Sequence, residues 1–347
     1  MSIDSVNPSL VPGAAGEREV AAFIAGWARD AGLEVEVLEA TPGRPSVVCR
    51  ARGSGGGRTL LLCGHTDTVA GQVGPRREGD RFHGRGAYDM KGGLAAALTA
   101  CVRAAGLGLA GDVVVAAVAD EEHASLGVQD VLAHVGADVA IVTEPTELAV
   151  AVAHRGFVWL EIEVAGRAAH GSRPHLGVDA IVRAGPILTG LGELDAALAE
   201  RTHPLLGRGS VHASVIEGGV ELSSYPERCV IGLERRTLPG ETAAQVETEI
   251  NALLEGHDAA CRTLLVREPF TVDPDDEFVR TVRAATSAEA VTGMSYWADS
   301  AFIAAAGIPT VLYGPAGAGA HAAEEWVSVS SCETVADTLV AVARQVC

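Results

Sequence analysis

Aromatic residues make up only 4% of this 347-residue chain, and Lys and Arg number 26 against 45 Asp and Glu. The net charge of −19 at pH 7, with no basic stripe, excludes a nucleic-acid backbone as partner. None of the seven cysteines (Cys49, Cys63, Cys101, Cys229, Cys261, Cys332, Cys347) falls in a Cys-x-x-Cys pair. That excludes a cysteine zinc site and a disulfide framework. Cys63 and Cys101 lie in apolar segments and read as small core residues. No apolar run approaches a membrane span, and the first residues lack a charged-then-apolar secretion pattern. The expectation is a reduced, cytoplasmic protein with no membrane partner. No internal repeat or low-complexity linker breaks the chain. Alanine, glycine and valine dominate instead, which suits tight helix–sheet packing, and the length suggests two domains.

The stretch 59–93 organises the rest. The apolar run 59–63 predicts a buried strand of a mostly parallel sheet. His65 and Asp67 follow at i and i+2, on one side of an extended backbone, at the strand edge where open α/β sheets bind ligands. Imidazole suits zinc-like metals, and a neighbouring carboxylate fixes its tautomer. The glycine-rich segment 84–93 then brings Asp89 to the start of an Ala/Leu-rich helix at 92–105. Each feature alone has a plainer meaning: a His-x-Asp in a solvated loop, an Asp as a helix cap.

Around this centre the periodicity predicts a helix at 16–32 and strands at 35–38 and 46–49. Strands at 112–119 and 138–142 deliver Asp120-Glu121-Glu122 and Thr143-Glu144. Alternating strands and helices imply a parallel α/β sheet. Near residue 155 the texture changes. The run 157–164 alternates like a half-buried antiparallel strand. A helix at 176–200, strands at 211–217 and 228–236, a helix at 241–255 and a strand at 261–267 follow. That order is ferredoxin-like. The expected organisation is an α/β domain formed by 1–154 and 269–347, interrupted by an α+β domain at 155–268. The second part carries helices at 276–291 and 299–306, a strand at 309–313 and a loop ending in His321. Ser330-x-x-Glu333 predicts a capping box for the last helix.

Three strand ends and two loops thus offer His65/Asp67, Glu121/Glu122, Glu144, Asp89 and His321. So many carboxylates in one cleft raise each other's pKa unless a cation is present. Two divalent ions about 3.5–4 Å apart remove that penalty and supply a hydrolytic engine. A bridging carboxylate, with one histidine and one carboxylate per ion, satisfies both. The glutamate pair lets one residue bind metal while the other moves a proton.

These motifs resemble the M20 metallopeptidase family, which includes acetylornithine deacetylases, succinyl-diaminopimelate desuccinylases, aminoacylases and glutamate carboxypeptidases. The likeness runs through Gly64-His65-Thr66-Asp67-Thr68-Val69, Gly84-Arg85-Gly86-Ala87-Tyr88-Asp89-Met90-Lys91-Gly92-Gly93, Asp120-Glu121-Glu122, Glu144-Pro145-Thr146 and His321. The resemblance implies that His65 and Glu144 bind one metal, Glu122 and His321 the other, and Asp89 bridges. Asp67 would orient His65, and Glu121 would be general base and acid. The implied fold is a zinc-peptidase-like α/β catalytic domain interrupted by a ferredoxin-like lid that dimerises. A lid histidine, matching His170, would complete the neighbouring subunit's site. A lid arginine that grips a substrate carboxylate matches Arg236, with Arg235 beside it. Many relatives carry asparagine where this chain has Ser223, so the substrate pocket differs there. Glutamate at 144 resembles the deacetylase, desuccinylase and carboxypeptidase branches more than the dipeptidases.

The implied activity is hydrolysis of the amide of an N-acyl amino acid by two divalent ions, zinc first, with cobalt or manganese as alternatives. A carboxypeptidase or dipeptidase using the same site is the runner-up. A metal-binding protein without turnover is disfavoured, because Glu121 is in place. The other histidines (His83, His123, His134, His154, His175, His203, His212, His257) read as structural or solvent-facing, with His123 also a candidate to support a ligand. Asp299 reads as a helix cap, while the resemblance puts its loop near the substrate.

Overall fold

The computed structural model describes the whole chain apart from Gln72, Val73, Ser287 and Glu289. Two compact units are present. One comprises Met1–Val152, Val272–Thr292 and Ala298–Cys347; the other comprises Ala153–Thr271 and Gly293–Trp297.

The first unit is built on a mixed sheet. Its strands run in the order Glu34–Leu38, Ser46–Ala51, Val113–Val118, Leu60–His65, Val139–Val142, Thr310–Leu312, and then Val150–His154, where the chain leaves the unit. The middle four are mutually parallel, and the flanking pairings are antiparallel. Leu60–His65 and Val113–Val118 are buried at every position, as expected of parallel strands covered on both faces. Two register facts position the site. His65 lies beside Val118, and Cys63 lies beside Val142. The carboxyl ends of three neighbouring strands therefore release His65, Asp120 to Glu122, and Thr143 to Glu144 side by side.

The helix Gly92–Ala105 enters against the end of Val139–Val142. A Cβ on Gly93 would stand 1.9 Å from the Thr143 carbonyl oxygen, so only glycine permits that approach. The expected helix at 276–291 is observed over Glu277–Ala285; Ser287 and Glu289 lie outside the described residues. The expected capping box at Ser330 is corrected. The last helix spans Val329–Val346 and is capped by Ser328, whose hydroxyl accepts from Ser331 N. Ser330 is engaged elsewhere: its N–H and hydroxyl donate to Asp80 at 2.9 Å each. Among the described residues no helix is long and apolar enough to cross a membrane.

The second unit follows the expected strand–helix–strand–strand–helix–strand order. Strands Ser210–Gly218, Arg228–Thr237, Gly156–Ala165 and Ala259–Arg267 form one antiparallel sheet in that spatial order. Leu160, Ile162, Ile231 and Leu233 share one core with Ile187 and Leu191 of the helix Ala180–Leu198 and Ile250 of Ala243–Leu254. Both helices therefore cover one face of the sheet. Asp179 caps the first helix and a Thr242–Gln245 capping box the second.

Candidate metal centre

Every metal-ligand candidate lies in the first unit, and the fold brings all of them together. His65 is almost wholly buried (1% exposed). Its Nδ1 faces the Asp67 carbonyl oxygen at 2.9 Å. A carbonyl only accepts, so Nδ1 carries the proton and the Nε2 of a neutral ring presents a lone pair. That Nε2 points at three carboxylates: Asp89 Oδ1 at 3.1 Å, Glu144 Oε1 at 3.6 Å and Glu121 Oε2 at 3.9 Å. His321 Nε2 faces Glu122 Oε2 at 3.0 Å and the second oxygen of Asp89, Oδ2, at 3.3 Å. Each oxygen of Asp89 thus meets one histidine. A lone pair aimed at carboxylate oxygens is repulsive unless a proton or a cation stands between them.

The electrostatics agree. Burial, more than any other influence, pushes the Glu121 and Glu144 carboxyls well above the usual range, and Asp299 is one of the neighbouring charges that add to it. Burial also raises Glu122, although His321 pulls the other way. Desolvation would lower His65, but Asp89 and the surrounding carboxylates win and hold it well above the usual imidazole range. Hydrogen bonds to Asp89 and Glu122 push His321 up to about 10. Asp89 is the exception among the acids: burial opposes ionisation, yet His321 and His65 hold it well below the carboxylate range. Among the described residues no Lys or Arg pairs with Asp67, Asp89, Glu121, Glu122 or Glu144. Two imidazoles and a surplus of carboxylates, short of counter-charge, suit one or two divalent cations of the zinc, cobalt or manganese kind. Two overlapping triads, His65–Glu121–Glu144 and His65–Asp89–Glu122, place ligand atoms within 4.8 Å of one another.

A pH dependence follows. Metal uptake must displace the protons that keep His65 and His321 charged at neutrality. Zinc binding at pH 7 is expected to release protons, and the apparent affinity to rise as pH climbs toward 10. Calorimetry in buffers of different ionisation enthalpy measures both.

The turn that presents Glu121 and Glu122 is held by Asp67, and Asp67 in turn by Asn7, which no sequence motif marks. The Asp67 carboxylate accepts from Glu121 N at 3.1 Å, Glu122 N at 3.2 Å and Asn7 Nδ2 at 2.7 Å. Its expected contact with the His65 ring is refined: the hydrogen bond comes from the Asp67 backbone carbonyl, and the carboxylate stands 3.6 Å away. Asn7 also reaches Asp120 Oδ1 at 3.0 Å, and Arg44 joins Asp120 to Glu17, 2.7 Å from each. Glu17 and Asp120 are fully buried. Arg44→Met leaves two buried carboxylates without their cation, so unfolding free energy should fall by about 3–5 kcal/mol, as read by urea titration. On the other side, the buried Glu325 accepts from the backbone N–H groups of Gly86, Tyr88 and Asp89. Of the remaining predicted residues here, Asp299 occupies the N-cap position of Ser300–Ala305 but makes no capping bond. The cap expectation is corrected. His123 is exposed, whereas His83 and His154 are buried.

The substrate-side candidates lie in the second unit. His170 pairs with Ser224 in a two-residue ladder, and Gly171 N donates to the Ser223 carbonyl at 2.6 Å. His170 Nδ1 faces the Ser172 hydroxyl at 2.8 Å and accepts from Ser172 N at 3.2 Å; with both donating to Nδ1, a neutral ring carries its proton on Nε2. Arg236 is partly exposed, with Nε on Glu234 at 2.7 Å and its guanidinium 5.1 Å from the Phe157 ring centre. Arg235 is wholly buried and donates to Glu241 Oε1 at 2.7 Å, Glu249 Oε2 at 3.3 Å and the Arg236 carbonyl. Its donors are engaged inside the unit, whereas Arg236 is partly exposed.

The model of peptidase family M20/M25/M40 matches residues 61–345. Acetylornithine deacetylase of Vibrio atlanticus (strain LGP32) is 28% identical over 372 residues, spanning 100% of this chain and 95% of the relative. Among solved structures, an M20 family metallo-carboxypeptidase of Sulfolobus solfataricus superposes with a TM-score of 0.80 at 18% identity, covering 98% of this chain and 96% of that one. A dinuclear metal binding peptidase from the M20 family of Bacillus subtilis gives 0.73 at 15% identity, covering 95% and 92%.

Proposed function

This chain belongs to peptidase family M20/M25/M40, and as a metal-dependent hydrolase of amide bonds we propose that it removes the acyl group from an N-acyl amino acid. One observation carries the proposal: the two oxygens of Asp89 face one histidine each, with Glu144 beside His65 and Glu122 beside His321. In this proposal His65, Glu144 and Asp89 would hold one ion, and His321, Glu122 and Asp89 would hold the other. Zinc is the first choice, with cobalt and manganese as alternatives. Bound ions would supply a positive field that polarises the amide carbonyl and acidifies water.

The chain's own groups then move the protons. Glu121, whose burial keeps its carboxyl basic, takes a proton from the attacking water and returns it to the leaving amine nitrogen. Asp67 holds the Glu121 backbone and the Asp67 carbonyl fixes His65, so neither needs to reorganise. His170, with its proton on Nε2, is suited to donate to the carbonyl oxygen as charge develops there. Following the family resemblance, it would act on the site of a second copy in a homodimer. Arg236 offers a planar donor pair for the substrate carboxylate, and Ser223, on the chain beside His170, borders the acyl or side-chain pocket. The acetylornithine deacetylase relative supports an acyl amino acid as substrate, and the free cysteines support a cytoplasmic setting.

The test is a rate panel after metal stripping and add-back of zinc, cobalt or manganese. It holds N-acetylornithine, N-succinyl-diaminopimelate, several N-acetyl amino acids, their C-terminal amides, a folate-like glutamate amide and simple dipeptides. Metal-dependent hydrolysis of a free-carboxylate N-acyl amino acid, with its C-terminal amide poor, is the expected outcome. Turnover of dipeptides alone would move the enzyme to the peptidase alternative and contradict the deacylase proposal.

A further inference from the structure

Glu325 stands four residues after His321, at the head of the short strand Trp326–Ser328. That strand pairs with Arg81–His83, with Trp326 beside His83. The pairing sets Glu325 against the turn that leads to Asp89, and Gly84 N donates to its carbonyl at 3.2 Å. The side chain is buried, with 1% exposure. Its Oε1 accepts from Tyr88 N at 2.9 Å and Asp89 N at 3.0 Å. Its Oε2 accepts from Gly86 N at 2.9 Å and Arg85 Nη1 at 2.8 Å. A carboxylate has about four acceptor sites, and here all four are filled. Arg85 closes the clamp by donating from Nη2 to the Ala322 carbonyl at 2.7 Å.

One carboxylate therefore ties the backbone bearing Asp89 to the loop bearing His321. Gly86, in the left-handed region at φ 74°, bends the turn so that the N–H groups of Gly86, Tyr88 and Asp89 converge on the Glu325 carboxylate. Buried N–H groups of a turn need an acceptor, and no residue within the turn supplies one for these three.

We infer that Glu325 is a positioning residue that sets the spacing between Asp89 and His321, and through it the affinity of the metal centre for its second ion. The inference rests on the proposed roles of Asp89 and His321 as ligands. A purely structural Glu325 would stabilise the fold without tuning metal affinity, and the two cases separate experimentally. Glu325→Gln preserves size but keeps one accepting oxygen, so about half of the four hydrogen bonds lose their acceptor. Asp112→Asn serves as control: Asp112 likewise accepts from a backbone N–H, that of Gly53 at 2.9 Å, and from Arg50, but at the opposite end of the Val113–Val118 strand from the metal centre.

The experiment is competition of metal-free protein with a chelator for cobalt(II), the visible spectrum of the loaded form, and thermal unfolding of the metal-free form. Glu325→Gln should weaken the second cobalt equivalent by about 10–100-fold, the usual cost of losing a group that orients a ligand. It should also shift the visible bands, while Asp112→Asn changes neither. If Glu325→Gln fails to fold, Arg85→Met, which removes one of the four donors to Glu325 together with the bonds from Arg85 to the Ala322 and Gly71 carbonyls, should show a loss in the same direction. A Glu325→Gln protein, or failing that an Arg85→Met protein, with wild-type affinity and spectrum for both equivalents would overturn the inference, whatever its melting temperature. Wild-type protein that takes up no cobalt would instead overturn the ligand assignment, and the inference with it.

Discussion

Glu121→Ala is expected to lower kcat by about 10²–10⁴-fold, the usual worth of a positioned general acid–base, while the protein keeps its full complement of metal. Two features motivate the split. The Glu121 carboxylate stands 3.9 Å from His65 Nε2, farther than Asp89 or Glu144. Burial also raises its proton affinity well above that of an ordinary glutamate, which suits a group that takes and returns a proton near neutrality. The same residue nonetheless lies in a triad with His65 and Glu144 that has the dimensions of a metal site. Metal analysis after gel filtration, run beside kcat, decides between the roles. A variant that loses an equivalent of metal along with its activity would make Glu121 a ligand.

Asp89→Ala should have the broader effect. Among the described residues its carboxylate is the one group that meets both His65 and His321, and unlike Glu121, Glu122 and Glu144 it is driven toward ionisation. On the proposed assignment, removing it would leave Glu144 with His65 and Glu122 with His321 as two sites of two ligands each. Both ions are expected to be lost at micromolar protein, and hydrolysis to fall to the level of the chelator-stripped wild type. Retention of two ions with only a modest rate defect would contradict the bridging role.

The metal-ligand candidates were legible in the sequence because each follows a feature that sequence displays. An apolar run ends at His65, another at Glu121 and Glu122, a third at Glu144, and a glycine-rich turn marks Asp89. A strand's carboxyl end is a place that topology defines, so the three could be expected to meet once a parallel sheet was. The supports were not legible. Asn7, Glu17, Arg44 and Asp120 form one buried network from distant parts of the chain, and no local pattern marks any of them as a partner of Asp67. Glu325 left a faint signal: a turn rich in glycine has N–H groups in need of an acceptor, and an acid sits four residues beyond His321. The choice between Arg235 and Arg236 was beyond spacing as well. Adjacent residues on a strand point to opposite faces, and only the packed structure shows Arg235 spent on Glu241 and Glu249. The capping box expected at Ser330 failed for the same reason: Ser330 is drawn to Asp80, a partner 250 residues away that no local pattern shows.

The most direct measurement is a stepwise titration of chelator-stripped protein with zinc, following bound metal by calorimetry and amide hydrolysis in parallel on the best substrate of the panel. The account predicts no turnover without metal and a rate that reaches its maximum at two equivalents per chain. Hydrolysis that survives stripping, or that is complete with no metal bound, would contradict it.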